Sequence, residues 1–505
     1  MKLNLNAVAA WPKLAWVARF TPLIDTITVF HGPYVEANDQ WCVEAVWAGD
    51  YTHGDFDKTD LIFGSGIRCR ENHAVFVSSG TTLDRLWHYR RGDTWYVANS
   101  FPALLATADL SLDALPTSCV RNIDSIMRGV ADYERLMPCD DGDLSVVYFN
   151  NLLWDGKALS EIDKVDTAPT FDCYETYSNY LLKSADTLAE NMYDCRRSNQ
   201  ITPVVTVSKG YDSSAAAVIA RHVGCKQAVT LKQSTSIWRG SDSGEEVALA
   251  LGLECATYNR TAHHYPQEET IWSVSGRAGI LNWTLFDYPE PLSLFFTAPY
   301  GDKMWSRTRW SRRDPFVFTG LSLGGLGEFR LFKGIFHCPL PFWGMRHLEE
   351  LWDITASEEM KLWSIEGDYD RPIPRRLVEE AGVPRAVFGQ RKKNTSHDEA
   401  LLWPYTPESV ASFQRFLIAQ GVPTSGRALM WLRRHGANIA HLVEANLPRS
   451  LTQSVRRRRK EAMSTSAELL FRWSNSELSQ TYRAALVESL PNFTGAAEPQ
   501  DAVEK

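Results

Sequence analysis

The sequence predicts three parts: a mainly antiparallel α+β part over residues 1–170, an α/β part built on a parallel sheet over 171–400, and a helical part over 401–505. Three observations predict this class. Before residue 165, short β-branched and aromatic runs alternate with Gly, Asn and Asp clusters. Residues 201–258 alternate β-α-β-α-β, and such units form a parallel sheet with helices on both faces. Beyond residue 400, cap signals and amphipathic spacing indicate helices.

Length and composition bound the class of protein. With 505 residues, 44% hydrophobic residues and a net charge of −8, the chain is long enough for two or three domains. The acidic balance disfavours a nucleic-acid partner, because such binding uses a basic surface to displace counterions. No apolar run is long and uncharged enough for a membrane span or a signal peptide, so we expect a cytoplasmic protein with no membrane partner. Nine scattered cysteines without a C-x-x-C pair indicate reduced, structural thiols.

The first part is predicted from its strands. Five runs of high β propensity lie at 27–30, 41–47, 74–77, 95–97 and 144–149. The segments 63–66 and 139–143, rich in Gly, Ser or Asp, are interpreted as turns between strands. Apolar residues at helical spacing then predict a helix over 174–196 that leads into the second part.

The second part opens with a β-branched run, 201–207, predicted to be a strand buried on both faces. The Ala-rich segment 213–223 is predicted to be a helix, and 228–231 and 253–258 are predicted to be the next two strands. Ser243 and Glu246 have capping-box spacing ahead of a helix over 247–251. Gly224 and Gly252 follow the two helices, where a cap needs positive φ. In such sheets ligands bind outside the carboxyl ends of the strands.

The third part is predicted from cap and amphipathic signals. Thr406 is interpreted as a helix cap, with Pro407 at the first helical position. Amphipathic patterning predicts helices at 427–435 and 467–472. The basic run 456–460 is interpreted as a solvated helix face, and the small, polar segment 495–505 as a frayed tail.

The segment 207–214, Val-Ser-Lys-Gly-Tyr-Asp-Ser-Ser, carries the strongest chemical signal. It follows a buried strand and opens a helix, so backbone N–H groups, serine hydroxyls and the positive end of the helix dipole can cradle a pyrophosphate. Asp212 would repel a naked phosphate, and its presence indicates the Mg²⁺ that accompanies ATP. The alternative interpretation is a capped turn without a ligand. The candidate phosphate-binding residues are Ser208, Lys209, Gly210, Asp212, Ser213 and Ser214.

This segment resembles the S-G-G-x-D-S-S signature of the asparagine synthetase branch of the ATP pyrophosphatase (PP-loop) superfamily. Lys209 stands where that family has its first Gly. If the family's Gly is needed for a close approach of the backbone or for a positive φ, Lys209 strains the loop. Alternatively, Lys209 directs its ammonium at a phosphate. Segments 241–248 and 295–303 resemble the family's regions after its second strand and at its second pyrophosphate loop.

The resemblance implies further site residues. Asp302 would be a second Mg²⁺ ligand beside Asp212, and Lys303 would contact phosphate, although Met304 and Trp305 replace the family's usual acidic pair. The alternative for Asp302 is an ordinary turn residue.

The closing segment 390–396 resembles the family's R-x-K-x-x-x-S, so Lys392 would stabilise charge on the α-phosphate and the oxyanion. Lys393 is the rival lysine, and a solvated basic loop is the alternative. Glu328, in the segment 327–330, would match the acidic residue of a G-x-E-x-R motif that Arg330 orients. A surface ion pair is the alternative.

The first part resembles, in layout alone, the Ntn-like class II glutamine amidotransferase domain that has lost its chemistry in β-lactam synthetase and lasso-peptide cyclase. Working domains of that class carry Cys directly after the initiator Met as nucleophile. This sequence begins Met1-Lys2-Leu3, and its first cysteine is Cys42. We therefore expect no glutaminase activity.

The implied function is ATP-dependent activation of a carboxylate as an acyl-adenylate, release of pyrophosphate, and amide formation with an amine or ammonia. The implied cofactors are ATP and Mg²⁺, and the partners are a small-molecule or peptide carboxylate and the amine. The resemblance leaves a homodimer possible. The rival hypothesis is a catalytically degenerate nucleotide-binding protein of the same fold, which Lys209, Met304 and Trp305 favour.

Overall fold

A computed structural model describes residues 1–115, 118–139, 142–232, 241–259, 267–277, 281–307, 314–317, 325–365, 367, 369–390, 404–422, 449–491 and 493, with backbone alone over 449–464. Within these ranges the chain forms two largely antiparallel sheets, then a parallel sheet with helices, then a long C-terminal helix. The predicted class is therefore confirmed at this level. Among the described residues, no helix combines the length and the hydropathy needed to cross a bilayer.

The first part contributes thirteen strands in the described residues. They are β1 Lys2–Ala7, β2 Trp16–Phe20, β3 Thr26–His31, β4 Glu36–Ala37, β5 Trp41–Trp47, β6 Ile62–Cys69, β7 Ala74–Val77, β8 Leu86–Arg91, β9 Thr94–Ala98, β10 Leu136–Cys139, β11 Gly142–Val147, β12 Asn151–Trp154 and β13 Leu159–Ile162. One sheet has the order β1-β3-β2-β9-β8-β11-β10 and is antiparallel apart from the β1–β3 pair. The other has the order β13-β12-β7-β6-β5-β4.

The two sheets share an aromatic core. Phe20 of β2 stacks on Phe76 of β7 with ring centroids 5.1 Å apart and meets Trp154 of β12 edge-on at 4.7 Å. All three side chains are buried, so aromatic residues of both sheets fill the space between them, and one of these, Phe76, belongs to the predicted run 74–77.

The turn predicted at 63–66 is wrong, because these residues lie inside strand β6. A Cβ atom on Gly64 would lie 1.9 Å from the carbonyl oxygen of Glu44 in the neighbouring strand β5. The glycine therefore serves a close approach of two strands rather than a turn. The centre of the turn predicted at 139–143, residues 140–141, lies outside the described residues, and the strands on either side of it, β10 and β11, pair antiparallel with Cys139 opposite Gly142.

Three helices belong to the first part and to its junction with the second: α1 Phe101–Ala108, α2 Cys119–Asp124 and α3 Tyr174–Met192. The predicted helix at 174–196 is α3, which ends four residues earlier. Its buried face includes Tyr177, Leu181 and Leu188, at the predicted helical spacing.

In the described residues, the second part has a parallel sheet of five strands. Its strands are β14 Ile201–Thr206, β15 Gln227–Leu231, β16 Glu254–Tyr258, β17 Leu292–Thr297 and β18 Ile335–Pro339, in the order β16-β15-β14-β17-β18. The helices of this part and the next are α4 Tyr211–His222, α5 Glu245–Ala250, α6 Glu268–Ser275, α7 Gly301–Met304, α8 Gly327–Lys333, α9 Leu348–Ala356, α10 Pro372–Glu380, α11 Pro407–Ala419 and α12 Arg449–Ser489. The three predicted strands are confirmed as β14, β15 and β16.

Local signals succeed at some helix ends and fail at one. Gly224 and Gly252 have φ of +96° and +70°, as the predicted caps require. The capping box of Ser243 and Glu246 is wrong, because α5 begins at Glu245 with Gly244 at its N-cap and has no side-chain cap. The Ser243 hydroxyl instead bonds the carboxylate of Glu245 at 2.8 Å.

The C-terminal helices pack on both earlier parts. Thr406 caps α11 by accepting the backbone N–H of Ser409 at 3.2 Å, with Pro407 at the first helical position, as predicted. Helix α12 has 41 residues, contains the predicted helix at 467–472, and contacts α1 and α6. The segments 427–435 and 495–505 lie outside the described residues.

Candidate functional site

The candidate site lies where the strand order of the parallel sheet reverses. Strand β14 pairs with β15 on one side and with β17 on the other, and Val205 lies opposite Phe296. The chain continues from β14 towards β15 and β16, and returns to the other side of β14 for β17 and β18. At such a point, the loops after the two central strands run in opposite directions and leave a crevice at their carboxyl ends.

The loop after β14 is held by its own serines. The hydroxyls of Ser208 and Ser213 share a hydrogen bond of 2.7 Å, and the backbone N–H of Ser208 donates to the Ser213 hydroxyl at 3.1 Å. The Ser214 hydroxyl donates to the carbonyl of Gly210 at 2.7 Å. These bonds tie the loop to the first turn of α4, so that serines predicted to contact phosphate also shape the turn.

Helix α4 begins at this loop, with Gly210 at its N-cap and no side-chain cap. Its first-turn N–H groups carry partial positive charge that favours an anion. A Cβ atom on Gly210 would lie 3.3 Å from the Ser208 hydroxyl and 3.5 Å from the phenol oxygen of Tyr369. The absence of a side chain at position 210 therefore keeps this end of the helix accessible.

Asp212 lies directly against the loop after β17. A Cβ atom added to Gly301 would lie 2.5 Å from Cγ and 2.9 Å from Oδ1 of Asp212. The carboxylate therefore packs on the first residue of α7, next to Asp302 and Lys303. The two segments predicted to bind metal and phosphate are brought together. We call residues 208–214 with 300–303 the loop cluster.

The loop after β17 is partly buried. Tyr300 adopts φ of +69°, and burial, with a smaller effect of Asp302, raises the pKa of its phenol. Burial lowers the pKa of Lys303, and the neighbouring Asp302 opposes this shift. The indole N–H of Trp352 donates to the carbonyl of Lys303 at 3.1 Å and fixes the backbone there.

Met304 and Trp305, which stand where the resembled family has acidic residues, belong to the core. Both side chains are fully buried. The indole N–H of Trp305 donates to the hydroxyl of Tyr177 in α3 at 3.2 Å. The two residues therefore anchor α7 and add no charge to the crevice.

The segment before α5 closes one side of the loop cluster. Ser208 and Ser243 form an isolated antiparallel bridge, and the N–H of Lys209 donates to the carbonyl of Asp242 at 3.3 Å. A Cβ atom on Gly244 would lie 2.6 Å from the carbonyl carbon of Val207. The segment 241–248, singled out by the resemblance, therefore contacts the loop.

Lys209 does not have a left-handed backbone, and its side chain is paired. It is not among the described residues with positive φ, so strain from a left-handed backbone, one form of the strain considered for it, is wrong. Its ammonium nitrogen lies 3.2 Å from a carboxylate oxygen of Glu246.

The chain that leads to Lys392 also reaches the loop. Gly389, with φ of +67°, donates its N–H to the carbonyl of Lys209 at 2.7 Å. A Cβ atom there would lie 2.3 Å from the ring of Tyr211. The Gln390 side chain donates to the carbonyl of Arg385 at 2.7 Å. Lys392 and Lys393 lie outside the described residues, so their roles stay predictions.

Glu328 and Arg330 lie in a different environment. Glu328 accepts hydrogen bonds from Ser100 at 3.0 Å and from Tyr482 of α12 at 2.7 Å, and burial raises its pKa to about 7. Neither partner belongs to the loop cluster, so nothing supports contact of Glu328 with ATP.

Arg330 donates to Glu44 at 2.8 Å and to Asp84 at 3.1 Å. Both Glu328 and Arg330 are buried, so the surface ion pair considered as the alternative is wrong. We call Glu44, Asp84, Glu328 and Arg330 the interior cluster.

Tyr369 is a site residue that the sequence analysis missed. Its phenol oxygen accepts the N–H of Tyr211 at 3.4 Å, and the two rings lie 4.8 Å apart. Burial, and next the nearby charge of Asp212, raise the pKa of Tyr369. A lone tyrosine has no diagnostic spacing, so the sequence offered no signal that could have identified it.

The donor set decides which cation fits. Among the described residues, no group of three or more His, Cys, Asp and Glu side chains is arranged to hold a metal. Asp212 and Asp302 supply two carboxylates from the two loops. Mg²⁺ is commonly held by one or two carboxylates together with substrate phosphates and waters, so this pair fits magnesium brought in with a nucleotide.

Comparison with models of protein families and with curated proteins found no match to this chain. A function for the site is therefore inferred from its chemistry. Hydroxyls, helix-end N–H groups and the carboxylate of Asp212 lie against the loop that carries Asp302 and Lys303, which is a combination suited to a polyphosphate with a divalent cation.

Proposed function

We propose that this protein binds ATP with Mg²⁺ in the crevice between the loops after β14 and β17 and uses it to activate a carboxylate. The acyl-adenylate then reacts with an amine or ammonia to form an amide. The observation that supports this most is the packing of Asp212 on Gly301, because it joins two acidic loops at the point where the strand order reverses.

Several polar groups of the loop cluster have a role in this proposal. The N–H groups at the start of α4 and the hydroxyls of Ser208, Ser213 and Ser214 would bind phosphate oxygens. Asp212 and Asp302 would hold Mg²⁺, which neutralises phosphate charge when bound. Lys303 would contact a phosphate, and Lys392 would approach the reaction centre from the segment that begins at Gly389.

The reaction balances as two substitutions. A carboxylate oxygen of the substrate attacks the α-phosphorus of ATP, and pyrophosphate leaves. The amine nitrogen then attacks the acyl carbon, loses a proton, and AMP leaves. Negative charge grows on phosphate and carbonyl oxygens in both steps, so fixed cations and N–H donors lower both barriers.

We further infer that the parallel sheet is of the PP-loop type and that the first part is an Ntn-like domain without glutaminase activity. The strand order and the serine-rich loop support the first inference. Two packed antiparallel sheets support the second. Cys42 is fully buried, and burial raises the pKa of its thiol, which disfavours the reactive thiolate.

One observation favours a second candidate, a nucleotide-binding protein without catalysis. Met304 and Trp305 fill the core where the resembled family carries acidic residues. Binding of MgATP without turnover would then be the activity.

Pyrophosphate exchange into ATP tests the two candidates. We expect a carboxylate from a broad panel to support exchange, and Asp212→Asn to reduce the rate at least about 100-fold, as expected for loss of a charged group at the reacting phosphates. Asp39→Asn, the same change at an exposed position, is the matched control and should leave exchange unchanged. MgATP binding with no exchange across the panel would favour the second candidate.

A further inference from the structure

Lys209 has a rigid backbone and a side chain held by one ion pair. Its N–H donates to Asp242 and its carbonyl accepts from Gly389, at 3.3 and 2.7 Å. Its ammonium lies 3.2 Å from the carboxylate of Glu246, in the first turn of α5. Hydrogen bonds on both sides therefore hold the main chain of Lys209 in the loop, and the position of its ammonium is set by the ion pair with Glu246.

The ion pair is weak enough to be exchanged. The side chain of Lys209 is 33% exposed and that of Glu246 is 58% exposed, and pairs open to solvent to this extent contribute little free energy. A nucleoside triphosphate carries several negative charges and would lie at the loop that Lys209 belongs to. It therefore competes with a single carboxylate for the ammonium.

We propose that Glu246 regulates the nucleotide site by holding Lys209 away from the polyphosphate until MgATP binds. Binding transfers the ammonium from the Glu246 carboxylate to a phosphate oxygen, so that Glu246 lowers the affinity for MgATP through Lys209. This proposal rests on the proposed function. It assigns a role to Glu246, and it explains how a lysine is accommodated where the resembled family has glycine.

The test is the dissociation constant of MgATP, measured by titration calorimetry on the full chain for four proteins. We expect Lys209→Met to weaken binding about tenfold, because a charge-assisted contact is lost. Glu246→Gln should tighten binding about threefold, because the competing carboxylate is gone. The double variant should bind as Lys209→Met does, because Glu246 acts only through Lys209.

Glu245→Gln is the matched control, because it removes the same charge from the same helical turn. The Glu245 carboxylate bonds Ser243 and Thr257, both at 2.8 Å, instead of Lys209. We expect less than half of the affinity change of Glu246→Gln. Thermal unfolding of each variant verifies that it is folded.

Three outcomes would overturn the proposal. Equal affinity of all four proteins would show that Lys209 does not bind the nucleotide, while leaving the proposed function intact. Tightening by Glu246→Gln that persists with Lys209→Met, or that Glu245→Gln reproduces, would show general repulsion instead. A wild-type protein that binds no MgATP would refute the proposed function, and this proposal with it.

Discussion

The loop cluster and the interior cluster contain the same kinds of charged residue in opposite surroundings. In the loop cluster, Asp212 and Lys303 lie at the edge of a sheet and are only partly buried. In the interior cluster, Arg330 is fully enclosed by Glu44 and Asp84, with side-chain exposures of 3%, 0% and 7%. Burial therefore decides the role of a charged residue. A fully buried charge must be paired within the protein, whereas a partly exposed charge can also bind a ligand.

The interior cluster connects parts of the chain that the loop cluster leaves apart. Arg330 on α8 reaches Glu44 on β5, and Glu328 on the same helix reaches Ser100 before α1 and Tyr482 on α12. One short helix thereby bonds strand β5 of one sheet, residues that adjoin strands of the other sheet, and the C-terminal helix. These contacts give Glu328 and Arg330 a structural role, and the catalytic role of Glu328 stays a prediction.

Removal of the buried Arg330 guanidinium should have the largest effect on the free energy of unfolding. Arg330→Leu leaves Glu44 and Asp84 buried without their cation, and we expect a loss of about 3–5 kcal/mol in the free energy of unfolding. Urea denaturation followed by tryptophan fluorescence measures it. Arg128→Ala removes an exposed pair with Glu134 and should cost less than about 1 kcal/mol. Equal losses in the two variants would contradict the role assigned to burial.

The protonation of Glu328 should make stability depend on pH. Because burial raises its pKa to about 7, the folded protein binds a proton more tightly than the unfolded chain between pH 4.5 and 7. Stability from this group is present at low pH and is lost as the pH rises through 7, by roughly 3 kcal/mol in total.

Glu328→Gln isolates this contribution. We expect the wild type to lose stability relative to the variant as the pH rises from 5 to 8, measured by urea denaturation at each pH. Buried histidines such as His88 and His337, whose pKa values are lowered to about 4 by burial, affect both proteins alike. Parallel stability curves would show that Glu328 does not titrate in this range.

A methyl group at Gly301 tests whether the packing of Asp212 on this residue is needed for MgATP binding. Gly301→Ala forces the Asp212 carboxylate to move, and overpacking of this kind costs about 1–3 kcal/mol. We expect MgATP affinity to fall about tenfold by calorimetry. Gly92→Ala, at a positive-φ glycine with no neighbouring atom within 4 Å, should affect folding alone. An unchanged MgATP affinity in Gly301→Ala would show that Asp212 does not take part in nucleotide binding.

The smallest effect is expected at Tyr369. Tyr369→Phe removes the oxygen that accepts the N–H of Tyr211 at a long 3.4 Å, so the unfolding free energy should fall by only about 0.5–1 kcal/mol. We expect the KM for ATP to rise a few-fold because the start of α4 is less well held. Tyr193→Phe, at an exposed tyrosine, is the control and should change neither the unfolding free energy nor the KM. An unchanged KM in Tyr369→Phe would show that Tyr369 contributes to packing but not to the nucleotide site.

Much of the loop cluster was accessible from sequence, because it is built at the ends of locally recognisable elements. The run 201–206 and the serine-rich turn after it identify β14 and the start of α4. Parallel strands place their carboxyl ends at one edge, which predicts that segments 208–214, 241–248 and 300–303 meet. The wrong predictions also came from local signals. Gly64 was interpreted as part of a turn because spacing alone does not show a neighbouring strand. Ser243 was interpreted as a cap because spacing alone does not show a competing hydrogen-bond partner.

Periodicity, cap residues and turn chemistry act within a few residues, so the sequence by itself determined local features such as the strands β5, β7 and β14, the caps at Gly224 and Thr406, and the turn that opens α4. The burial and the ion-pair partners of the charged residues could not be predicted from such signals. Arg330 meets Glu44 across 286 residues, and Glu246 turns to Lys209 instead of capping its own helix. The energy of a charge depends on burial and on partners from distant segments, and these exist only once the sheets and helices have packed together.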